Sequence, residues 1–307
     1  GIATAALLLR AGRLTFLASA LGVVAIAPSV MTLDARERPG EERLPWHRTA
    51  AAADQPRLLR VVAINAWHDN APPGALAAYL GRADADVVLP AQVDGMHGGG
   101  EAALELAPVV VHGFQTVDAD TDVVIASCAH AWACSQVLLA REPFARSGTR
   151  MPSPGNPPMV WAEFHSGNVK GSKVTVIGTH IYRPSKRHDW HQAQLAGLAR
   201  LVRAIDGEVI VAGDFNMTRL SASFDAFTEA SGLTAPRRVL ASWPAWPAPL
   251  PLPQVQIDHL FVSSGLAVVD QRSGRPVGSD HLPLWSAIRL PERATIMAGD
   301  GTRVQHR

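Results

Sequence analysis

Short apolar runs alternate with amphipathic segments along the chain from Leu58 to Pro291. Runs that are rich in β-branched residues predict buried strands, because these side chains fit the pleated surface of a sheet. The segment 187–205 repeats its apolar residues at helical spacing and predicts an amphipathic helix. The predicted strands are 58–65, 86–89, 123–127, 136–140, 159–165, 173–180, 208–215, 257–263, 267–270 and 282–290, and the predicted helices are 72–83, 187–205 and 221–230.

The number of buried strands indicates the fold class. Many apolar strands with a few helices between them predict an α/β fold in which two packed sheets are covered by helices. Hydrophobic residues make up 47% of the 307 residues and charged residues 18%, a balance that supports a sizeable core and excludes a disordered chain. No internal repeat is present.

The N-terminal part differs from the rest because it carries no charge from Leu14 to Leu33. This length is about what a helix needs to cross a bilayer. Arg10 and Arg13 flank its N-terminal side, which predicts a cytoplasmic start and an exported remainder. Two alternatives stay open, a cleavable signal peptide that ends at the small-residue site 25–27 and a buried helix of a soluble protein.

The chain therefore divides into four predicted regions. Residues 1–33 form a membrane or signal-anchor segment, and 34–57, which are charged and then Ala-rich, form a linker. Residues 58–291 form the folded domain, and 292–307 form a flexible tail. We expect a membrane-anchored protein with an extracytoplasmic domain; the signal-peptide reading gives a secreted protein instead.

Charge and cysteine content narrow the possible partners. The net charge is +1, so a nucleic-acid partner would have to rely on a local site rather than on a global basic field. The spacing of Cys128 and Cys134 matches no common zinc motif. A disulfide between them, if the domain lies outside the cytoplasm, and two unrelated buried thiols both remain open. No protein partner can be inferred.

Polar residues collect where the predicted strands end. Loops at strand ends, held by a rigid sheet, are where catalytic groups usually lie. A single Asp-His pair is typical of an ordinary turn, whereas several such groups in a fixed order indicate one site. These residues are Asn65, His180, Asp214, Asn216, Asp258, His259, Asp280 and His281.

The order of these motifs resembles the endonuclease/exonuclease/phosphatase superfamily. The motifs are N-x-W at 65–67, GTH at 178–180, GDFN at 213–216, IDH at 257–259 and SDH at 279–281. The resemblance covers about 58–291 and implies a four-layer α/β/β/α sandwich of two mixed sheets flanked by helices. The Pro/Trp-rich loop before IDHLFVS, following an N-terminal membrane segment, is similar to a bacterial membrane-anchored branch that includes phosphatases of lipid-linked pyrophosphates.

The resemblance implies hydrolysis of a phosphoester with a divalent cation, Mg²⁺ or alternatively Mn²⁺. Asn65, the residue at position 92 and Asp280 would hold or surround the metal. A hard cation bound by oxygens neutralises charge on the phosphoryl group.

The resemblance also implies the catalytic roles. Asp214 and Asn216 would position the attacking water and the phosphate. His281 would act as a base or contact the phosphate, with Asp258 fixing its tautomer and raising its pKa. The other assignments are His180 as a donor to phosphate oxygens, Tyr182 and Ser127 as substrate contacts, and His259 as a packing residue.

Position 92 departs from the family pattern. Typical members read D-V-V-x-L-Q-E-V in this strand, and the chain reads DVVLPAQV, with Gln92 in place of the ligand glutamate. Glutamine keeps a carbonyl oxygen but loses a negative charge, which weakens binding of a hard cation. Asp94 could compensate if a bulge brought its side chain closer.

The sequence thus predicts a metal-dependent phosphoester hydrolase with a weakened metal site. Its substrate would be a phosphodiester, a phosphomonoester or a lipid-linked pyrophosphate at the outer face of a membrane. Two alternatives stay open. One is an extracytoplasmic nuclease, for which Lys170, Lys173, Lys186 and Arg187 are the few candidate basic residues; nucleic acid is not the favoured partner. The other is a degenerate module that binds a phosphorylated ligand without catalysis.

Overall fold

The computed structural model describes residues 57–66, 75–92, 123–126, 136–153, 158–165, 173–245 and 254–291. The strands are β1 Leu58–Asn65, β2 Val87–Ala91, β3 Val123–Ala126, β4 Gln136–Ala140, β5 Arg146–Arg150, β6 Met159–His165, β7 Lys173–His180, β8 Glu208–Asp214, β9 Asp258–Val262, β10 Ala267–Ser273 and β11 Leu284–Arg289. The helices are α1 Ala75–Arg82, α2 His188–Arg203 and α3 Ala222–Ser231.

The strands form two mixed sheets. The first sheet has the order β10-β11-β1-β2-β4-β3, and the second has the order β5-β6-β7-β8-β9. The β1–β2 pair and the β7–β8 pair are parallel, and the other pairs are antiparallel. β11 lies beside β1, so the last strand of the domain completes the sheet that the first strand begins.

Three hydrophobic clusters define the layers. The central cluster joins the facing sides of the two sheets and includes Val61 from β1 and Ile210 from β8. A second cluster packs Leu80 of α1 on the outer face of the first sheet. A third packs Leu198 of α2, with residues of α3, on the outer face of the second sheet. The order of layers is therefore α/β/β/α, as the sequence predicted.

Strand boundaries follow the predictions closely, with one omission. The bounds of β1, β4, β6 and β7 agree with the predicted ranges. β5, at Arg146–Arg150, was not predicted, because this edge strand is largely exposed and its RSGTR sequence has no apolar run. β10 is longer than the predicted 267–270, since it continues to Ser273 through a register shift against β11.

The predicted membrane segment, the tail and all of the linker except its last residue, Arg57, lie outside the described residues. Within the described ranges, none of the helices combines the length and the hydropathy that a membrane crossing requires. The membrane anchor therefore stays a prediction from the sequence.

Candidate functional site

Strand alternation brings the predicted site residues to one edge of the space between the sheets. In β1, Leu59, Val61 and Ala63 face the central core, and the next residue of the same parity is Asn65. The same alternation leads to His180 at the end of β7 and to Asp214 at the end of β8. The apolar face of each strand thus ends in a buried polar side chain.

The strand register aligns the polar residues of the second sheet. His180 of β7 pairs with Asp214 of β8, and Asp214 pairs with Asp258 of β9. From the first sheet, Asn65 reaches across, and its Nδ2 donates to Asp214 Oδ2 at 3.0 Å. The site is therefore shared between the two sheets, with Asp214 fully buried at its centre.

The GDFN turn fixes Asp214. Gly213 has φ +147°, and a Cβ at this position would lie 1.9 Å from the Thr179 carbonyl oxygen, so only glycine allows β7 and β8 to approach. Asn216, at φ +48°, donates from its backbone N–H to Asp214 Oδ1 at 2.8 Å and from its Nδ2 to Oδ2 at 3.1 Å. Asp214 thus accepts hydrogen bonds on both oxygens.

Asp258 and His281 form a buried pair. The Nδ1 of His281 lies 2.8 Å from Asp258 Oδ2, and its Nε2 points to Asp214 Oδ2 at 3.8 Å. Burial alone would lower the pKa of His281. The negative charges of Asp258 and Asp214 and the hydrogen bond to Asp258 outweigh burial and raise this pKa to about 9. The hydrogen bond to Asp258 therefore holds the ring in one orientation, and the neighbouring acids favour its protonated form.

Ser279 connects the SDH turn to the first sheet. Its hydroxyl donates to the Asn65 carbonyl oxygen at 2.6 Å and accepts from the His281 N–H at 3.0 Å. The Ser279 side chain thus holds the backbone of Asn65, a predicted metal ligand, and the backbone of His281, the predicted catalytic histidine.

His180 lies beside Asp214, with its Nε2 3.5 Å from Asp214 Oδ2. Two residues of α2 that the sequence analysis did not assign support this segment. Gln194 donates to the His180 carbonyl oxygen at 3.1 Å and accepts from the Tyr182 N–H at 2.8 Å. His191 Nδ1 donates to the Tyr182 carbonyl oxygen at 2.7 Å. Gln194 and His191 could have been found from the sequence, because each is a polar residue on the apolar face of an amphipathic helix.

Two further predicted residues show different outcomes. The Tyr182 ring packs edge-on against Trp190, with ring centroids 5.3 Å apart, at a partly exposed position. Ser127 lies outside the described residues, as do Asp94 and both cysteines. Their predicted roles stay predictions.

Gln92 follows β2 directly and interrupts the alternation. Val87 and Leu89 face the central core, so regular alternation would place Ala91, not Gln92, inward. Gln92 instead adopts φ +55°, a left-handed conformation that is uncommon for a residue with a side chain. It is 7% exposed, and its Oε1 is buried with no hydrogen-bond partner among the described residues.

The polar groups fit a hard divalent cation. Gln92 Oε1 and Asp280 Oδ1 are both buried without a hydrogen-bond partner in the described parts of the chain, which is costly unless a ligand satisfies them. Amide and carboxylate oxygens are the ligands such cations prefer. One atom each from Asp214, Asp258 and His281 also lie within 4.8 Å of one another. Binding an ion between Asp258 and His281 would break their hydrogen bond, so the two buried oxygens that lack a partner among the described residues, Gln92 Oε1 and Asp280 Oδ1, are the better candidate ligands.

His259 lies among aromatic rings, in keeping with the predicted packing role. Its ring centroid is 5.2 Å from Phe224, 5.7 Å from Phe261 and 6.0 Å from Phe215. Its Nε2 donates to the Met217 carbonyl oxygen at 2.8 Å. Burial lowers the pKa of His259 to about 4.

Acidification is expected to destabilise the fold through His259. The unfolded chain binds a proton at this residue below about pH 6.5, whereas the folded chain does so only near pH 4. Stability is therefore lost as pH falls through this window, by about 3 kcal/mol in total. Urea unfolding at pH 7 and pH 4 measures this loss. The difference in unfolding free energy between pH 7 and pH 4 should be about 3 kcal/mol smaller in His259→Phe than in the wild type. The matched control, His188→Gln at an exposed histidine, should keep the wild-type difference. Equal losses in both variants would contradict the assignment.

The comparisons with known proteins agree with this geometry. A family model described as the Endonuclease/Exonuclease/phosphatase family matches residues 62–281. The solved structure of an endonuclease/exonuclease/phosphatase from Beutenbergia cavernae is similar, with 19% identity, a TM-score of 0.57, and coverage of 76% of this chain and 72% of that one. A search of curated proteins finds no match.

Two more solved structures are similar over nearly their whole length. An endonuclease/exonuclease/phosphatase from Bacteroides vulgatus has 16% identity and a TM-score of 0.59, with coverage of 76% of this chain and 99% of that one. TDP2 from D. rerio, complexed with a single-strand DNA product, has 15% identity and a TM-score of 0.58, with the same coverage of both chains. At these identities the likeness shows a shared fold.

Proposed function

The chain belongs to the endonuclease/exonuclease/phosphatase family, whose members are metal-dependent phosphoester hydrolases, and we propose that it hydrolyses a lipid-linked phosphate ester or pyrophosphate at a membrane. The observation that carries the hydrolase part is the buried cluster around Asp214, in which an amide from one sheet and two histidines converge on one carboxylate. Burying such groups is expensive, and a purely structural role would be filled more cheaply by apolar residues.

The cluster supports a division of roles. Asp214, which is oriented by Asn65 and Asn216, is placed to hold the attacking water and accept its proton. His180 and His281 both direct Nε2 toward Asp214 Oδ2, at 3.5 and 3.8 Å, and are placed to donate to the phosphoryl oxygens. A bond forms from the water oxygen to phosphorus as the water proton passes to Asp214. The P–O bond to the leaving group, an ester or a pyrophosphate bond, breaks, and the leaving oxygen departs with the electron pair and takes up a proton from the solvent. The raised pKa of His281 favours the donor role over the base role.

Asn65, Gln92 and Asp280 would hold the divalent cation. When bound, the cation would neutralise negative charge on the phosphoryl oxygens and on the leaving group. We propose Mg²⁺, with Mn²⁺ as the alternative. Since two of the three side chains are neutral amides, we expect a higher cation requirement than a site with two carboxylates would have.

The surroundings of the site support an anionic substrate with an apolar part. Arg183, Lys186 and Arg187 are exposed on the loop that follows β7, and among the described residues only Arg187 of these three forms an ion pair, with Asp189. Such a loop can contact a second phosphate. Leu220 is 72% exposed on the loop that follows Asn216. The two loops leave the same edge of the second sheet, because β7 and β8 are parallel. An exposed leucine and exposed cations at one edge fit a lipid phosphate better than DNA, which is the reason for favouring the lipid-linked substrate.

Hydrolysis assays on the full chain in detergent test this proposal. A prenyl pyrophosphate, p-nitrophenyl phosphate, bis(p-nitrophenyl) phosphate and plasmid DNA would each be offered across Mg²⁺ and Mn²⁺ concentrations, with EDTA as the metal-free control. We expect cation-dependent turnover that is fastest on the lipid substrate. Preferential cleavage of plasmid DNA would establish the nuclease alternative, and no turnover of any substrate would overturn the hydrolase proposal.

We propose that the active domain lies outside the cytoplasm, anchored by residues 14–33. The uncharged stretch and its arginine flank support this location. Protease added to intact cells with permeabilised outer layers should degrade the domain while sparing a cytoplasmic marker. Protection of the domain under those conditions would contradict the proposed topology.

A further inference from the structure

A tryptophan from the Pro/Trp-rich loop contacts the acid of the SDH motif. Trp243 Nε1 donates to Asp280 Oδ2 at 3.0 Å. We propose that Trp243 is a positioning residue that orients the Asp280 carboxylate toward the reacting phosphate and its cation. The catalytic part of this inference rests on the proposed hydrolase function, whereas the contact itself does not.

The backbone around Trp243 is fixed independently of its side chain. Trp243 exchanges two hydrogen bonds with Val255, at 3.0 and 2.7 Å. Ala245 N–H donates to the Asp280 carbonyl oxygen at 2.7 Å, and Leu282 N–H donates to the Ser242 carbonyl oxygen at 2.8 Å. The segment 242–245 is thus attached on both sides of the Asp280–His281 pair, which gives the indole a defined place from which to hold the carboxylate.

The hydrogen bond decides where the second carboxylate oxygen lies. A carboxylate is planar, so an indole that fixes Oδ2 also limits the directions open to Oδ1. Asp280 Oδ1 is buried, has no hydrogen-bond partner among the described residues, and lies 3.9 Å from His281 Nε2. An oxygen with these properties is available to a cation or to the hydrogen-bond network of a bound phosphate.

A packing role explains these contacts less well. Trp243 is 36% exposed, so its ring contributes little to the core. A structural tryptophan of this fold looks different: Trp285 is 6% exposed, and its Nε1 donates to the backbone carbonyl of Ala83. Trp243 instead directs its only side-chain donor to an acid of the site.

A double-mutant cycle tests whether Trp243 acts through Asp280. Trp243→Phe keeps an aromatic ring and removes the donor, and we expect kcat to fall about 10-fold or more, since a hydrogen bond to a charged group is lost. KM should change less than about 2-fold. In an Asp280→Ala background the same substitution should have almost no effect. The matched control is Trp161→Phe. Trp161 is partly buried on the outer face of the second sheet, so this variant should keep full activity.

The indole N–H resonance provides a readout that does not need turnover. The Trp243 signal, assigned by its loss in Trp243→Phe, should shift in Asp280→Ala and on addition of Mg²⁺ to the wild-type chain. An unchanged indole resonance in Asp280→Ala would overturn the inference, and so would an equal kcat loss from Trp243→Phe in both backgrounds. If the wild type hydrolyses nothing, the proposed function fails, while the resonance still decides whether Trp243 holds Asp280.

Discussion

Replacing His281 with asparagine is expected to lower kcat by about 10³-fold or more. A positioned acid–base group typically contributes 10²–10⁴-fold, and His281 is the residue whose ring lies between the two buried acids. The substitution removes the Nε2 donor that faces Asp214. Initial rates on the preferred substrate at saturating cation measure the effect.

The same substitution should also destabilise the fold, and a second variant separates the two effects. Asp258 is fully buried, and without His281 its charge has no ionic partner among the described residues, which costs about 3–5 kcal/mol. Asp258→Asn combined with His281→Asn removes that charge, so the double variant should recover stability but not activity. A double variant that regains turnover would contradict the assignment of His281 to the chemistry.

Replacing Gln92 with glutamate is expected to lower the Mg²⁺ concentration for half-maximal activity by about 10–100-fold. The substitution adds a negative charge at a buried position that follows β2, where the resemblance to the family implies a metal ligand. Without metal, the new carboxylate is buried unpaired and should lower the melting temperature. With saturating Mg²⁺, the melting temperature should rise above that of the wild type, because the bound cation stabilises the folded state.

Activity and thermal unfolding across a Mg²⁺ titration measure both effects. Gln192→Glu introduces the same charge on α2, at a residue that donates to Ser223, and should leave the Mg²⁺ requirement unchanged. An unchanged requirement in Gln92→Glu would show that position 92 does not contact the cation. A wild type that is inactive at every metal level beside an active Gln92→Glu would establish the degenerate binding module.

The sequence predicted the layers because they follow from strand alternation, and the same alternation groups the polar residues at the strand ends. β1, β7 and β8 are apolar on the face toward the central core, and each ends in a polar residue of the same inward parity. The family motifs N-x-W, GTH and GDFN then identified these strand ends as parts of one site. Placing Asp214 beside Asn65 needed only that the two sheets pack face to face.

Other features depend on tertiary contacts that no local pattern encodes. The edge strand β5 pairs through its backbone and lacks an apolar run. The contact of Trp243 with Asp280 depends on how a loop folds back over a distant turn. The left-handed conformation of Gln92 is set by where β2 leaves the sheet, and a glutamine gives no sign of it.

The antiparallel pairing of β11 with β1 has a consequence for biosynthesis. Asn65 is synthesised early, whereas Asp280 and His281 are added just before β11. When β11 pairs with β1, it brings these two residues to the end of β1, where Asn65 lies. A fragment that leaves the ribosome before β11 is made therefore lacks the assembled site around Asp214. A hydrolase built in this order cannot act on phosphoesters while it is still on the ribosome, so no separate inhibitory segment is needed during synthesis.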